Sequence, residues 1–118
     1  MKRRGIKLLL TLMLGVVLGC TSASILVTGE KRPPISPEMV VLYSTPPPEY
    51  KVIGQITTSS DEGLSQKDYL DYALKRLRKE AAKVGANGVI ITYQGFETDY
   101  YDVKKMVVHG DAIWVPSN

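Results

Sequence analysis

The chain has 118 residues, including one cysteine and one histidine, and its 15 Lys and Arg residues against 12 Asp and Glu residues give a formal charge of +3. This length fits a single domain, and one cysteine with one histidine excludes both an internal disulfide and a structural zinc site of about four N/S ligands. Four basic residues precede residue 8, and the rest of the chain carries 11 basic against 12 acidic residues, so its charge gives no basis for nucleic-acid binding.

The first 20 residues have the pattern of a bacterial lipoprotein signal. Basic residues at positions 2, 3, 4 and 7 precede an apolar run over residues 8–19. This run suits the core of a signal peptide and is shorter than the roughly 20 residues that a membrane span needs. It ends in Val-Leu-Gly-Cys at positions 17–20, which resembles a lipobox. We therefore predict that residues 1–19 are a cleaved signal peptide and that Cys20 carries the lipid.

Acylation of Cys20 has consequences for chemistry and for location. The thiol becomes unavailable for redox chemistry or metal binding, and several acyl chains anchor a protein almost permanently. The next residue is Thr21, whereas inner-membrane lipoproteins typically carry Asp there. By resemblance to outer-membrane lipoproteins, we expect the protein to lie in the bacterial cell envelope, anchored to the outer membrane and facing the periplasm.

Residues 20–38 hold the lipidated cysteine and three prolines, and this composition predicts a tether that allows one short edge strand at residues 25–27. A single domain is predicted over residues 39–118. It begins with a β-prone run at residues 39–43, followed by a stiff triple proline at 46–48. A second strand is predicted at residues 50–58, and Gly54 suggests a bulge in it.

One amphipathic helix is predicted from about residue 65 to residue 84. Apolar residues recur there at spacings of three or four: Leu70, Ala73, Leu74, Leu77, Ala81 and Val84. Gly85 lies where a left-handed residue ends a helix. A stripe of this kind, bordered by charges of both signs, predicts packing of the helix against a sheet.

Two further strands follow the helix. The β-branched run at residues 89–93 predicts a buried strand in the middle of the sheet, and residues 104–115 alternate with apolar side chains on both faces. The predicted fold is an α+β two-layer sandwich with one helix on a small, mainly antiparallel sheet, in the order β-β-α-β-β. The second sheet face then needs cover from the proline-rich arm or from another molecule.

Candidate functional residues are few. Phe96, Tyr100 and Tyr101 lie in an acidic turn, and aromatic side chains beside carboxylates are typical of protein recognition. Equally, these rings could fold back onto the edge of the sheet. Weak metal-ligand candidates are Asp99, Asp102, His109 and Asp111, whose spacing lacks the pattern of a calcium loop. No catalytic residue or cofactor is predicted, since an enzyme would need a serine to converge with His109 and Asp111 without any nucleophile motif.

Three stretches of the sequence resemble a known group: VLYSTPPPEYKVIGQITT, LRKEAAKVGANGVIITY and VHGDAIWV. They are similar to the small bacterial envelope domains related to RcsF and the YbjQ-like proteins. The matching positions are turn and packing residues: Ala81, Ala82, Gly85, Ala86, Asn87, Val89, Gly110 and Ala112. RcsF-like lipoproteins act as envelope-stress sensors through contacts with other envelope proteins. YbjQ-like domains are labelled as heavy-metal-binding and tend to form rings.

The predicted function is that of a lipid-anchored, non-catalytic protein-binding module in envelope maintenance or stress sensing. Its expected partners are the membrane, through the acyl chains, and other envelope proteins, with no nucleic acid. Its only attached group is the covalent lipid on Cys20. The alternative is a self-assembling module of the YbjQ type that binds a small ligand or a metal and forms a homo-oligomer.

Overall fold

A five-stranded mixed sheet with one helix on one face makes up the fold. The computed structural model describes residues 21–60, 66–98, 100 and 104–116. In chain order the elements are β1 (Thr21–Val27), a 3-10 turn (Pro37–Met39), β2 (Val41–Tyr43), β3 (Lys51–Ser60), α1 (Gln66–Lys83), β4 (Gly88–Thr98) and β5 (Lys104–Trp114). The predicted α+β class with a single helix on a small sheet is confirmed for these residues.

The strand order across the sheet is β1-β3-β5-β4-β2. Three of the strand pairs are antiparallel, and β2 pairs with β4 in parallel. The predicted order β-β-α-β-β is wrong because it omits β1, which lies in the segment expected to be a tether and pairs with β3 over seven residues. The prolines that suggested a tether all follow β1, so they do not interrupt its ladder. The middle strand is β5 rather than β4.

Helix α1 packs on the sheet through the predicted apolar stripe. Ala73, Leu77 and Ala81 are completely buried, and Val84 is nearly so. The hydroxyl of Thr58 in β3 donates a 3.1 Å hydrogen bond to the carbonyl of Ala73, which joins the helix to the sheet in the core. The spacing of small and large apolar residues therefore determines which side of α1 meets the sheet.

The end of α1 is held by the proline-containing segment that follows β1. Gly85 has a φ of 76°, the left-handed conformation expected after a helix. The amides of Arg32 and Ile35 donate 3.0 Å hydrogen bonds to the carbonyls of Val84 and Ala82. A Cβ on Gly85 would lie 2.5 Å from the carbonyl oxygen of Arg32, so this close approach also requires glycine.

Asn87 joins the starts of two strands to the end of a third. Its side-chain amide donates to the Val115 carbonyl at 2.8 Å, and its Oδ1 accepts from the Val115 amide at 2.7 Å. Its backbone carbonyl accepts a 3.0 Å hydrogen bond from the amide of Val41, the first residue of β2. One side chain thus extends the β4–β5 pairing beyond the last residue of β5.

Two β-bulges change which side chains share a face of the sheet. The pairing of β3 with β5 shifts between Val52 and Gly54, which confirms the predicted bulge and turns Ile53 into the core. The pairing of β4 with β5 shifts between Ile91 and Tyr93. Each bulge places neighbouring residues on faces that strict alternation would not predict.

Candidate binding surface

The sheet face opposite α1 is called the open face here. Its side chains alternate along each strand with those that pack under the helix. The strand registers arrange them in rows, of which two are Tyr93, His109, Thr57 and Ser24, and Ile90, Asp111, Gln55 and Leu26. In these two rows the residues of β3 and β5 are polar, and the flanking residues of β4 and β1 are apolar or aromatic apart from Ser24.

His109 is the central side chain of the open face. The Tyr93 ring meets its imidazole edge to face, with centroids 5.4 Å apart and planes at 74°. On the other side, the Thr57 hydroxyl lies 3.3 Å from His109 Nδ1, where either group donates according to the tautomer. Contacts on both sides keep the imidazole in place in the middle of the sheet.

Large apolar side chains remain uncovered on this face. Leu26, Val52 and Tyr93 are 63%, 43% and 44% exposed, respectively. At the β2 side the chain covers its own sheet: Ile113 is completely buried, and a Cβ on Gly88 would lie 2.7 Å from the Tyr43 ring. The Tyr43 ring of β2 supplies this cover, whereas the proline-containing segment that the sequence suggested as cover is bonded to the end of α1.

A depression of about 430 Å³ on the open face is bordered by His109, Thr57, Glu97 and Lys105, among others. A hydroxyl beside an imidazole is the start of a nucleophile–base pair. The amides of β3 and β5 at this point face neighbouring strands on both sides, so they are used in the ladder and form no oxyanion-binding pair. The depression therefore presents a hydroxyl, an imidazole, a carboxylate and an ammonium group, all of which can form hydrogen bonds.

The weak metal candidates divide into two groups. His109 and Asp111 are two residues apart on the same face of β5. Asp99 and Asp102 lie outside the described residues. Within the described ranges, no three His, Cys, Asp or Glu side chains come together in a way that could hold a metal ion.

The predicted aromatic contact residues have different environments. Phe96 is half-buried, with its ring 6.0 Å from that of Tyr69 in α1 and the Lys104 ammonium 4.6 Å above it. It therefore packs against the helix, which neither interpretation of the sequence had placed beside it. Tyr100 is 96% exposed. Tyr101 lies outside the described residues.

A second cleft, of about 300 Å³, lies at the end of the sheet near the start of β3 and the end of β5. The Arg32 guanidinium carbon stacks 3.8 Å from the centroid of the Trp114 ring, and Glu30 and Lys51 also border the cleft. This cation–π contact fixes the segment after β1 against β5. Nothing in the sequence pattern joined Arg32 to Trp114, because they are 82 residues apart.

The predicted lipidation site, Cys20, and the predicted signal peptide over residues 1–19 lie outside the described residues. Over the ranges that the structure covers, no helix has the length and apolar character needed to cross a membrane.

Sequence patterns did not single out Leu26, Val52 or Tyr93 as surface residues. Strict alternation from Val89 through Ile91 would put Tyr93 under the helix. The bulge between Ile91 and Tyr93 moves it to the open face opposite His109. The sequence signal for Tyr93 was an aromatic residue at the end of a β-branched run. The face on which Tyr93 lies depends on a register shift, which the sequence pattern does not show.

Comparison with known proteins supports the fold. No family model matches the chain, and no curated protein sequence matches it. The crystal structure of a Francisella virulence factor, FvfA, in its orthorhombic form, is similar, with a TM-score of 0.60 and 25% sequence identity. The similarity covers 78% of this chain and 96% of that one. The helix-on-sheet arrangement is thus shared with a protein of closely matching extent.

Proposed function

We propose that this protein is a lipid-anchored component of the bacterial envelope whose domain binds another envelope protein through the open face, without catalysis. The observation that carries the proposal is the exposure of Leu26, Val52 and Tyr93 around a polar centre on a sheet face that α1 does not cover. Protein interfaces have this composition, with tyrosine enriched and apolar area mixed with hydrogen-bonding groups.

The size of the open face indicates how strong the contact is. Four strands spaced about 4.8 Å apart, with about eight residues of each, give a face of about 500 Å². Stable complexes bury about 800 Å² per partner. A partner that uses the open face alone therefore forms a transient complex, as expected of a sensor or an assembly factor that exchanges partners.

Anchoring is supported by the sequence. The charged start, the apolar run and the Val-Leu-Gly-Cys motif are the parts of a lipoprotein signal, and the resemblance to RcsF-like domains favours contact with envelope proteins. Replacing Cys20 with alanine should move the protein from the membrane fraction to the soluble fraction. Continued sedimentation of Cys20→Ala with membranes would refute the anchor.

Photo-crosslinking tests the binding surface. The chain offers a matched control, because Tyr93 on the open face and Tyr72 on α1 are both 44% exposed. A photoreactive amino acid at Tyr93 should capture a discrete envelope protein in intact cells, whereas the same group at Tyr72 should capture none. Equal capture from both positions, or none from Tyr93, would refute the open face as the contact. Capture of the protein by itself would favour the self-assembling alternative.

The self-assembling alternative in its metal-binding form has less support than protein binding. His109 and Asp111 supply two ligands, and stable protein sites for Zn²⁺ use about four. Calorimetric titration with divalent cations is the direct test. Micromolar binding that is lost in His109→Ala or Asp111→Ala would replace protein binding with ion binding as the function of this face.

A further inference from the structure

The solvent-exposed side of α1 carries a concentration of positive charge. Residues 75–83 hold five basic residues and one acidic residue, whereas the rest of the chain after residue 19 holds six basic and eleven acidic residues. The five basic side chains are called the basic surface here: Lys75, Arg76, Arg78, Lys79 and Lys83. All are exposed except Arg76, which is half-buried. A domain that is nearly neutral as a whole thus presents one strongly cationic side.

The one carboxylate within this run is already paired. Glu80 is 8% exposed, and its Oε1 lies 3.3 Å from the Arg76 guanidinium and 3.0 Å from the Lys83 ammonium. In the part of the chain that the structure describes, Lys75, Arg78 and Lys79 have no ion-pair partner. The basic surface therefore keeps three cations without a counter-charge.

The cations of the basic surface repel one another. Side chains three or four positions apart are neighbours on a helix, and like charges at this spacing weaken it. Lys79 has three such neighbours, at Lys75, Arg76 and Lys83. The helix dipole favours cations only in the last turn, so it accounts for Lys83 but not for the four basic residues that precede Glu80. Charges that oppose the stability of α1 indicate an anion that is supplied from outside the chain.

Three cations of the basic surface converge on one depression. Lys75, Arg78 and Lys79 border a cavity of about 280 Å³ between α1 and the 3-10 turn. Glu38 also borders it, and its Oε2 accepts a 2.8 Å hydrogen bond from the Ser36 hydroxyl. Three cations against one carboxylate leave an excess of positive charge, which suits a phosphate group.

The composition of the basic surface favours a membrane over a protein as the source of that anion. Lysine supplies three of the five cations, and lysine is depleted at protein interfaces. Clusters of lysine and arginine on a helix are typical of surfaces that bind anionic lipid headgroups. Tyr72 borders a second depression together with Lys75 and Lys79 and is 44% exposed. Tyrosine is enriched where a membrane meets water.

We propose that the basic surface of α1 binds the headgroups of anionic phospholipids, so that the helix layer of the domain lies against the membrane. The open face is on the other side of the sheet and is then turned away from the bilayer. This orientation leaves the open face accessible to a protein partner. The binding depends on side chains of α1 and not on the lipid proposed for Cys20.

Fluorescence quenching at the membrane surface tests this orientation. The full-length protein, purified from membranes, is reconstituted with vesicles that carry spin-labelled headgroups, made either of phosphatidylcholine or of phosphatidylcholine with phosphatidylglycerol. Tyr72→Trp should lose at least about a third of its added emission when phosphatidylglycerol is present and little without it. Tyr93→Trp is the matched control, because Tyr93 is also 44% exposed but lies on the open face. Its added emission should persist in both kinds of vesicle.

Charge reversal locates the contact. Lys75→Glu/Lys79→Glu should abolish the phosphatidylglycerol-dependent quenching of Tyr72→Trp. Raising the salt from about 0.01 M to about 1 M should do the same, because the Debye length falls from about 30 Å to about 3 Å. The control with the same net charge is Lys31→Glu/Lys51→Glu, since these exposed lysines border the cleft at the end of the sheet. An equal loss in this control would show attraction by net charge alone and would overturn the proposal.

Thermal unfolding separates lipid binding from a structural role. Lys79→Glu replaces three like-charge pairs with opposite-charge pairs, so its melting temperature should stay the same or rise. A lower melting temperature would show that Lys79 supports the fold and would overturn its assignment to the membrane.

Vesicle flotation distinguishes failure of this proposal from failure of the proposed anchor. Protein that floats with both kinds of vesicle, while Tyr72→Trp and Tyr93→Trp respond alike, would keep the anchor and overturn the orientation. Protein that floats only with phosphatidylglycerol vesicles would support the basic surface and refute the anchor. Protein that floats with neither would overturn both. Capture of an envelope protein by a photoreactive group at Tyr72 in cells would assign this side of α1 to a protein and overturn the proposal.

Discussion

Asn87 provides the sharpest test of the hydrogen bonds that join the end of β5 to the start of β4. The substitution Asn87→Ala removes two hydrogen bonds, of 2.7 Å and 2.8 Å, to the amide and carbonyl of Val115. Each intramolecular hydrogen bond contributes about 0.5–1.5 kcal/mol net, and both Val115 groups are left partly buried without this partner. We therefore expect the free energy of unfolding to fall by about 2 kcal/mol.

The measurement is urea denaturation followed by circular dichroism. For a small domain with a slope of about 1–1.5 kcal/mol per molar urea, the midpoint should fall by between about 1 and 2 M at an unchanged slope. Gln55→Ala is the control, because it removes an exposed amide from the open face and should change stability by less than about 0.5 kcal/mol. A loss below about 0.5 kcal/mol in Asn87→Ala would contradict the assigned role of the side chain.

Three further substitutions test the contacts that position the sheet and its proline-containing segment. Gly85→Ala should destabilise the fold by more than about 1 kcal/mol, because φ is 76° and the new Cβ meets the Arg32 carbonyl; an unchanged melting temperature would contradict this. Gly110→Ala should lower the free energy of unfolding, measured by urea denaturation, by about 1–3 kcal/mol, since its Cβ would lie 2.5 Å from Val89 Cγ1. An unchanged free energy would show that β4 moves to accommodate the methyl group. Arg32→Ala should cost about 0.5–1 kcal/mol and alter the emission of Trp114 through loss of the cation–π contact, and an identical emission spectrum would show that the stacking is absent in solution.

The helix and its ending were predictable because their signals are local. A stripe at spacings of three and four defines one buried face, and a glycine ends the helix whatever surrounds it. The bulge at Gly54 was predictable for the same reason. The role of Asn87 was not, since the backbone atoms that its amide contacts lie 28 residues away.

The position of the candidate surface depended on pairing between distant strands. The sequence of β1 alone predicts an extended tether, and only its pairing with β3 shows that it belongs to the sheet. Alternation alone predicts that Tyr93 lies in the core, and only the bulge in β4 places it on the open face. Both are matters of register, and a shift of one residue reverses the face of every side chain that follows. The candidate site therefore could not be located from alternation alone.

By itself, the sequence determined the single helix, its buried stripe and the α+β class, because each depends on residues close together in the chain. The tertiary structure alone decided the strand order, the face to which Tyr93 belongs and the place of β1 in the sheet, because these depend on hydrogen bonds between segments far apart in the chain. The physical difference is that periodicity defines a face within one element, whereas only pairing defines which elements share that face.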